Sequence, residues 1–322
     1  MNNKSIKRAK DLKSIMGFKF SSKALLAKMC GDDHKYIQII KEFLATMNQS
    51  YIEKSRESFK EWEKNKRKNS EQLILWTLWW QGYDNMPEIV KMCYRTQVKY
   101  AESNNTKIIL LSKDNICDYI NIPQVILDKV ERKIITLTHF SDIIRIYLLE
   151  QYGGAWIDST LYNDNEISKT DFQKYDFFSF HLSPDAHQPV GTGQVLTECK
   201  WSGFMLYSKY PHNPLFIYLK ESITAYWNKH DAIIDYFIMN FLIRILYENV
   251  EEARNMIDKV EYNNPCLYVL NALMNKPYSN KEWDMLRSET DFFKLSWKEQ
   301  YIQESVDEQM TYYEKLSVIS HI

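Results

Sequence analysis

Residues 141–160, S-D-I-I-R-I-Y-L-L-E-Q-Y-G-G-A-W-I-D-S-T, decide the fold. Phe140, Ile143, Ile144, Tyr147 and Leu148 recur at helical spacing and give one apolar stripe to bury. Asp142 and Arg145 stand three positions apart, so they share a face near the start of that helix. Gly153 and Gly154 supply the positive-φ freedom that ends a helix. Ala155, Trp156 and Ile157 then read as a short buried strand that delivers Asp158 to its carboxyl end, where open α/β sheets bind ligands. Taken singly, an Asp/Arg pair at this spacing is an ordinary surface pair and Gly-Gly an ordinary helix stop. Their order along one stretch is what points to a site.

On the N-terminal side, Leu73 to Trp76 has the length of a central strand and runs into the aromatic cluster Thr77 to Gly82. A helix over Pro87–Tyr100, a second strand over Lys107–Leu111, and short helical pieces over Ile116–Ile120 and Val125–Val130 follow. This β-α-β-α order is that of a nucleotide-binding half. On the C-terminal side, Leu161 to Asp164 is read as continuing the Asp158 strand into a polar loop. A strand over Tyr175–Phe180 and a loop over the site from His181 to Gly193 come next, ahead of the stretch K-W-S-G-F-M-L-Y at Lys200–Tyr207. Neither His181 nor His187 is assigned as a catalyst. A long helix opens at His212–Phe216 and reaches Trp227, and another begins near Asp231, carrying A-I-I-D-Y-F-I-M-N-F. A carboxylate among these apolar residues is costly to bury alone, so Asp235 either faces the cleft or pairs with a cation, and the cleft is favoured.

Residues 1–70 read as helical, with Tyr51, Ser55, Ser58, Phe59 and Trp62 on one face and a polar break over Lys64–Asn69. They hold 17 Lys/Arg against 8 Asp/Glu, whereas the remainder holds 24 against 34, so the net charge of -1 hides a basic N-terminal region. A solvated helical face is the common explanation for such charge, and contact with an anionic inner-leaflet surface is the alternative. No nucleic-acid module accompanies it: the sequence has no helix-turn-helix signature, zinc spacing or RNP motif. The five cysteines are odd in number and widely spaced, which indicates neither a disulfide framework nor a zinc site. With no charged-then-apolar leader and no apolar run near the roughly 18 residues that span a bilayer, a cytoplasmic protein is expected, or one peripheral at the inner membrane face.

The sequence resembles the S-D-x-x-R … Y-G-G-x-(Y/W)-x-D-x-D signature of nucleotide-sugar-dependent glycosyltransferases, through Ser141, Asp142, Arg145, Tyr152, Gly153, Gly154, Trp156 and Asp158. Within that group, G-G-x-W-I-D-x-T is similar to the bacterial capsular polysaccharide synthesis proteins. These are placed in glycosyltransferase family 32 with other DXD sugar-binding transferases, and are more distantly related to the glucosylating clostridial toxins. The resemblance runs from about Leu73 to about Tyr247, with a weaker echo near the C-terminus, and does not clearly cover the first seventy residues.

The resemblance implies a GT-A-type, Rossmann-like α/β fold with a mixed central sheet and additional N- and C-terminal helices. It divides the chain into a helical accessory region over 1–70 and a glycosyltransferase domain over 71–322, whose nucleotide-binding half is about 71–165 and acceptor-side half about 166–322. It implies transfer from a nucleotide sugar, a UDP-sugar by expectation, to a capsular or surface polysaccharide acceptor carried on lipid, with retention of configuration. The rival reading is a non-catalytic nucleotide-sugar or glycan-binding subunit. By the resemblance, Trp76 and Thr77 lie beside the nucleobase and ribose; Asp142 and Arg145 take sugar hydroxyls and diphosphate; Asp158 binds ribose, sugar or Mn²⁺ or Mg²⁺. Asp235, in a D-Y-F motif, stands at the cleft as the weak candidate for a nucleophile in a double displacement. T-x-x-x-K-L-S at Thr311–Ser317 places Lys315 over the diphosphate, with an exposed lysine as the alternative. One departure stands out: Thr160 replaces the second aspartate of the motif, and a hydroxyl is a poorer ligand for a hard dication than a carboxylate.

Overall fold

The computed structural model describes residues 3–65, 73–163, 171–186, 191–303 and 309–321. The reading of residues 66–69 within the polar break, of Asp164, and of His187 and its neighbours to 190 in the loop over the site falls outside them. Among the described residues the strands are β1 (Ile74–Leu78), β2 (Lys107–Leu111), β3 (Gly154–Ile157), β4 (Leu161–Asn163), β5 (Phe177–Ser179), β6 (Met205–Ser208) and β7 (Phe292–Lys294). Five of them form one sheet in the order β2-β1-β3-β6-β5, and β4 pairs with β7 in a second, two-stranded sheet. β1 runs parallel to β2 and β3, whereas β6 is antiparallel to β3 and β5 to β6. The architecture is therefore α/β and Rossmann-like with a mixed central sheet, as expected.

The two glycines set how closely β3 enters that sheet. Gly153 and Gly154 have φ of 68° and 84°, in the left-handed region that other residues rarely adopt. A Cβ on Gly154 would also collide with the Ile74 carbonyl, and one on Gly153 would lie 2.9 Å from the Ser208 carbonyl oxygen. Both neighbouring strands thus pack against bare backbone, which is why no side chain is tolerated at either position.

Helices cover both faces. α1 (Asn3–Met29), α2 (Asp33–Met47) and α3 (Gln49–Asn65) make up the N-terminal layer. α4 (Glu88–Ser103) links β1 to β2, α5 (Gln124–Glu131) follows, and α6 (Leu137–Tyr152) precedes β3. α7 (Thr192–Thr197), α8 (Pro214–Lys229), α9 (Ile238–Asn249) and α10 (Glu251–Asp258) complete the central body, and α11 (Val269–Leu273), α12 (Asn280–Glu289) and α13 (Tyr312–Ser320) the C-terminal part. The stripe on α6 is buried as its spacing requires, and Thr136 caps the helix by accepting the His139 N–H. α8 starts in the same manner, with Asn213 accepting the Leu215 N–H and Pro214 in the first turn.

The N-terminal layer shares its core with the sheet. Ile40, Leu44, Ile52 and Phe59 belong to the same apolar cluster as Trp156, Phe216 and Leu242. A second cluster, built on Val90, Cys93, Tyr162, Trp283, Phe293 and Tyr312, ties α4 and β4 to the C-terminal helices. Cysteines among the described residues are free thiols.

Two elements depart from the sequence reading. Leu161 does not extend the Asp158 strand: the chain turns at residues 158–160, the Leu161 N–H reaching back to the Asp158 carbonyl at 3.0 Å, and β4 leaves the main sheet to pair with β7. The helix expected from Asp231 begins only at Ile238. Asp235 accepts the Phe237 N–H at 2.8 Å, a local side-chain bond that competes with helical pairing and leaves 230–237 irregular.

Candidate functional site

Asp158 stands just past the end of β3, with its own N–H bonded to the Phe204 carbonyl at 2.9 Å. One carboxylate oxygen accepts from Trp156 Nε1 at 2.9 Å and faces Arg145 at 3.5 Å; the other accepts from Lys294 Nζ at 3.1 Å. Arg145, on α6, is itself held. Its Nε and Nη2 donate to the Ser141 carbonyl and Ser141 Oγ at 3.3 and 3.0 Å, and its Nη1 donates to the Gly203 carbonyl. Its guanidinium lies over the Trp156 ring, 4.8 Å from the centroid, and pairs with Asp142 at 3.2 Å. The helix-borne pair and the strand-end carboxylate converge as the sequence indicated.

The two acids are tuned in opposite directions. Burial pushes the Asp142 carboxyl up to about 6, with Arg145 pulling against it and Asp158 adding to the rise. Burial also acts to raise Asp158, but Lys294, Arg145 and the Trp156 N–H outweigh it and hold its carboxyl below the ordinary value. One carboxylate is thus firmly ionised, while its neighbour is poised near neutrality.

Around this cluster lies a cleft with two lobes that share Arg145, Asp158, Tyr236, Tyr268 and Lys294. The wider, of about 920 Å³, is bounded by Leu78 at the end of β1, by Trp79 and Trp80 just past it, and by Ser296 and Trp297 past β7. It has the size of a small-molecule pocket. The narrower, of about 310 Å³, runs between Gly193, Thr197 and Gly203 on one side and Phe237, Met239 and Asn240 on the other. Trp79 and Trp297 meet edge to face at 5.8 Å, and Trp297 is 49% exposed, so an aromatic wall stands open at the rim of the wide lobe.

Several residues singled out in the sequence lie elsewhere. Trp76 is fully enclosed, donating Nε1–H to the Gly153 carbonyl at 3.0 Å and packing on Tyr119 and Tyr152. Thr77 is also wholly buried, and its hydroxyl has no partner among the described residues. Neither lines the cleft, because β1 is an interior strand covered on both faces; the residues that reach the opening are its last, Leu78, and those just after it, Trp79 to Gln81. Asp235 turns its carboxylate to Tyr36 Oη at 2.6 Å and Arg8 at 3.9 Å, the cation-paired arrangement and not the cleft-facing one. Only its neighbours Tyr236 and Phe237 line the cleft. Lys315, on α13, lies over the Tyr278 ring at 5.7 Å, away from Asp158. Thr160 is at the site, accepting from Lys294 Nζ at 2.5 Å.

A second cation reaches the site beside Arg145: Lys294, which the sequence reading missed. The β4–β7 register sets Leu161 opposite Lys294, and the Leu295 N–H binds the Thr160 carbonyl at 3.0 Å. That pairing carries a residue remote in sequence to the turn after β3. A lysine interrupting the aromatic strand D-F-F-K-L was the available signal, since an ammonium in such a run demands a partner.

The donor set does not suit Mn²⁺ or Mg²⁺. A hard dication takes six or more oxygen ligands, whereas Asp158 is already engaged by a lysine, a tryptophan N–H and an arginine, and the nearby hydroxyl of Thr160 faces the same lysine. Among the described residues, no group of three or more His, Cys, Asp and Glu is arranged to hold an ion.

In comparison with known proteins, the family described as capsular polysaccharide synthesis protein matches residues 28–316, nearly the whole chain. No curated protein and no solved structure matches.

Proposed function

Because this chain belongs to the capsular polysaccharide synthesis family, in which it has a role in capsule biosynthesis, we propose that it is a glycosyltransferase. In this reading it moves one sugar from a nucleotide sugar, a UDP-sugar by expectation, to a growing lipid-linked glycan. The observation that carries this reading is the convergence of Asp142, Arg145, Asp158 and Lys294 at a strand end between two lobes of one cleft. Cations clustered beside sugar-binding carboxylates at such a place are what an activated carbohydrate requires.

The chemistry follows from the donor. Its anomeric C–O bond breaks with the electron pair going to the β-phosphate oxygen, so negative charge grows on the diphosphate while positive charge spreads over the ring. Arg145, locked by Ser141 and Gly203, provides a fixed positive charge that needs no rearrangement during the reaction. Asp158, ionised, accepts hydrogen bonds from ribose or sugar hydroxyls, and Asp142 holds a further sugar hydroxyl. The base lies against the Trp79–Trp297 wall of the wide lobe, where stacking contributes on the order of 1 kcal/mol. The acceptor enters by the narrow lobe. Its hydroxyl oxygen bonds to the anomeric carbon on the face the diphosphate leaves and passes its proton to the departing phosphate oxygen, so configuration is retained without a protein nucleophile. Asp235, committed to Tyr36 and Arg8, supplies none.

The acceptor's lipid gives α1 a role. Its outward stripe Phe18–Ser22–Leu26–Met29 leaves Phe18, Leu26 and Met29 59–76% exposed, with Lys19 and Lys23 exposed beside it. An apolar stripe flanked by lysines suits an anionic lipid surface. No described helix is long and apolar enough to cross a membrane.

The decisive experiment is turnover of a nucleotide-sugar panel by wild type and D158N. The variant should keep its fold and lose transfer by about three orders of magnitude or more, as expected when a group contacting the reacting sugar is neutralised. The replacement of the second motif aspartate by Thr160 favours one other reading, a binding subunit without turnover. Such a protein would saturate with donor and never release nucleotide.

A further inference from the structure

Each carboxylate oxygen of Asp158 already faces a cation. Lys294 holds one oxygen at 3.1 Å, and Trp156 and Arg145 hold the other at 2.9 and 3.5 Å. Thr160, in the position of the missing aspartate, accepts from the same lysine at 2.5 Å, and Asp142 is paired with Arg145 at 3.2 Å. A dication bound at Asp158 would stand a few ångströms from the Lys294 ammonium, where like charges repel by several kcal/mol even at the effective dielectric of about 20 near a protein surface. Lys294 and a divalent ion therefore compete for this carboxylate.

We propose that Lys294 is the direct counter-charge to the donor's diphosphate, with Arg145 as a fixed second charge, and that the two replace the divalent ion in this site. The inference rests on the glycosyltransferase reading above. The two cations are built differently. Arg145 commits three of its five N–H donors to Ser141 and Gly203, which fixes its position, so it contributes a stationary field. Lys294 has three N–H donors; Asp158 and Thr160 engage two, which leaves one for a phosphate oxygen in the cleft that it lines. Its stem leaves the β4–β7 pair at a fixed register, and its ammonium sits 4.9 Å from the Phe204 ring centroid, so it is aimed before any ligand arrives. Thr160 takes part in this arrangement: a carboxylate there would draw the lysine into a closed ion pair, whereas a neutral hydroxyl positions the ammonium and leaves its charge for the diphosphate.

The test is calorimetric binding of UDP and of GDP to the full chain, in EDTA and then with Mn²⁺ added, for wild type, K294A and K294R, each checked for cooperative unfolding. Wild type should bind one of the two with the same affinity in both buffers. K294A should bind at least about tenfold more weakly in EDTA, K294R should stay within a few fold of wild type, and only K294A should gain affinity on adding Mn²⁺. Wild-type binding that requires Mn²⁺, or K294A binding equal to wild type in EDTA, overturns the inference while leaving glycosyl transfer standing. Failure of wild type to bind either nucleotide in either buffer, with no release of nucleotide from any sugar donor, overturns the transferase reading itself.

Discussion

At the scale of single residues, the site works against the stability of the protein that holds it. An exposed aspartate loses its proton near 3.8, whereas Asp142 in the fold loses it at about 6. Between those values the folded chain binds more protons than the unfolded one, so stability falls as pH rises through that window and stays lower above it. D142N removes the titration. It should therefore raise the unfolding free energy at pH 7.5 by on the order of 2 kcal/mol, and flatten the change in stability between pH 4 and 6. Turnover should fall in the same variant. Thermal unfolding followed across pH checks the first outcome, and a variant less stable than wild type at pH 7.5 would contradict it. Asp142, Arg145 and Asp158 were legible in the sequence because each is placed by local spacing, three along a helix and a short strand after two glycines. Lys294 was not, since only a β-pairing between distant segments brings it to Asp158. Trp76 and Thr77 were misplaced for another reason: position along a strand does not reveal that both faces are covered, and here Tyr119 and Tyr152 close over Trp76.

At the scale of elements, the first helix has two faces with different destinations. Leu12, Ile15, Met16, Ala24 and Ala27 are buried, while the face carrying Phe18, Leu26 and Met29 is open. The end of α1 is tied to the cleft: Lys28 bonds Asp33 at 2.7 Å and Thr192 at 2.9 Å, and the next residue of α7, Gly193, lines the narrow lobe. A membrane under α1 would bring the narrow lobe close to the bilayer. Replacing Phe18, Leu26 and Met29 together by serine should reduce co-sedimentation with phosphatidylglycerol vesicles by about tenfold or more, with no change toward neutral phosphatidylcholine vesicles. Equal binding of wild type to both lipids, or to neither, would remove the role assigned to this face. The sequence revealed the helices and their charge but not which stripe is exposed, because Gly17, with φ of 71°, breaks the helical phase within α1. The same limit applied to Asp235, whose bond to the Phe237 N–H ended a helix that apolar periodicity had begun too early.

At the scale of the whole molecule, the N-terminal layer is part of the body. Phe59 and Ile52 are essentially unexposed and sit in the apolar cluster that contains the main sheet, and Lys41 on α2 pairs with Glu248 on α9 at 2.7 Å across the junction of the two helices. Each large apolar side chain left uncovered by removing that layer costs on the order of 1.5–3 kcal/mol, enough in sum to exceed the stability of an ordinary domain. A chain beginning at residue 66 should therefore aggregate or fail to unfold cooperatively, and the intact protein should show one calorimetric transition. Two well-separated transitions would make the layer an independent unit. Fold class was readable from the order of elements, but not the merging of the cores, which depends on which helical faces meet.

The pairing of Leu161 with Lys294 also bears on how the protein is made. Every strand of the main sheet has been synthesised by residue 208, yet the lysine that joins Arg145 at Asp158 arrives some eighty residues later. A chain cut short in that interval carries Asp158 with Arg145 beside it and Lys294 missing, and the charge cluster of the cleft is completed only when translation has passed β7.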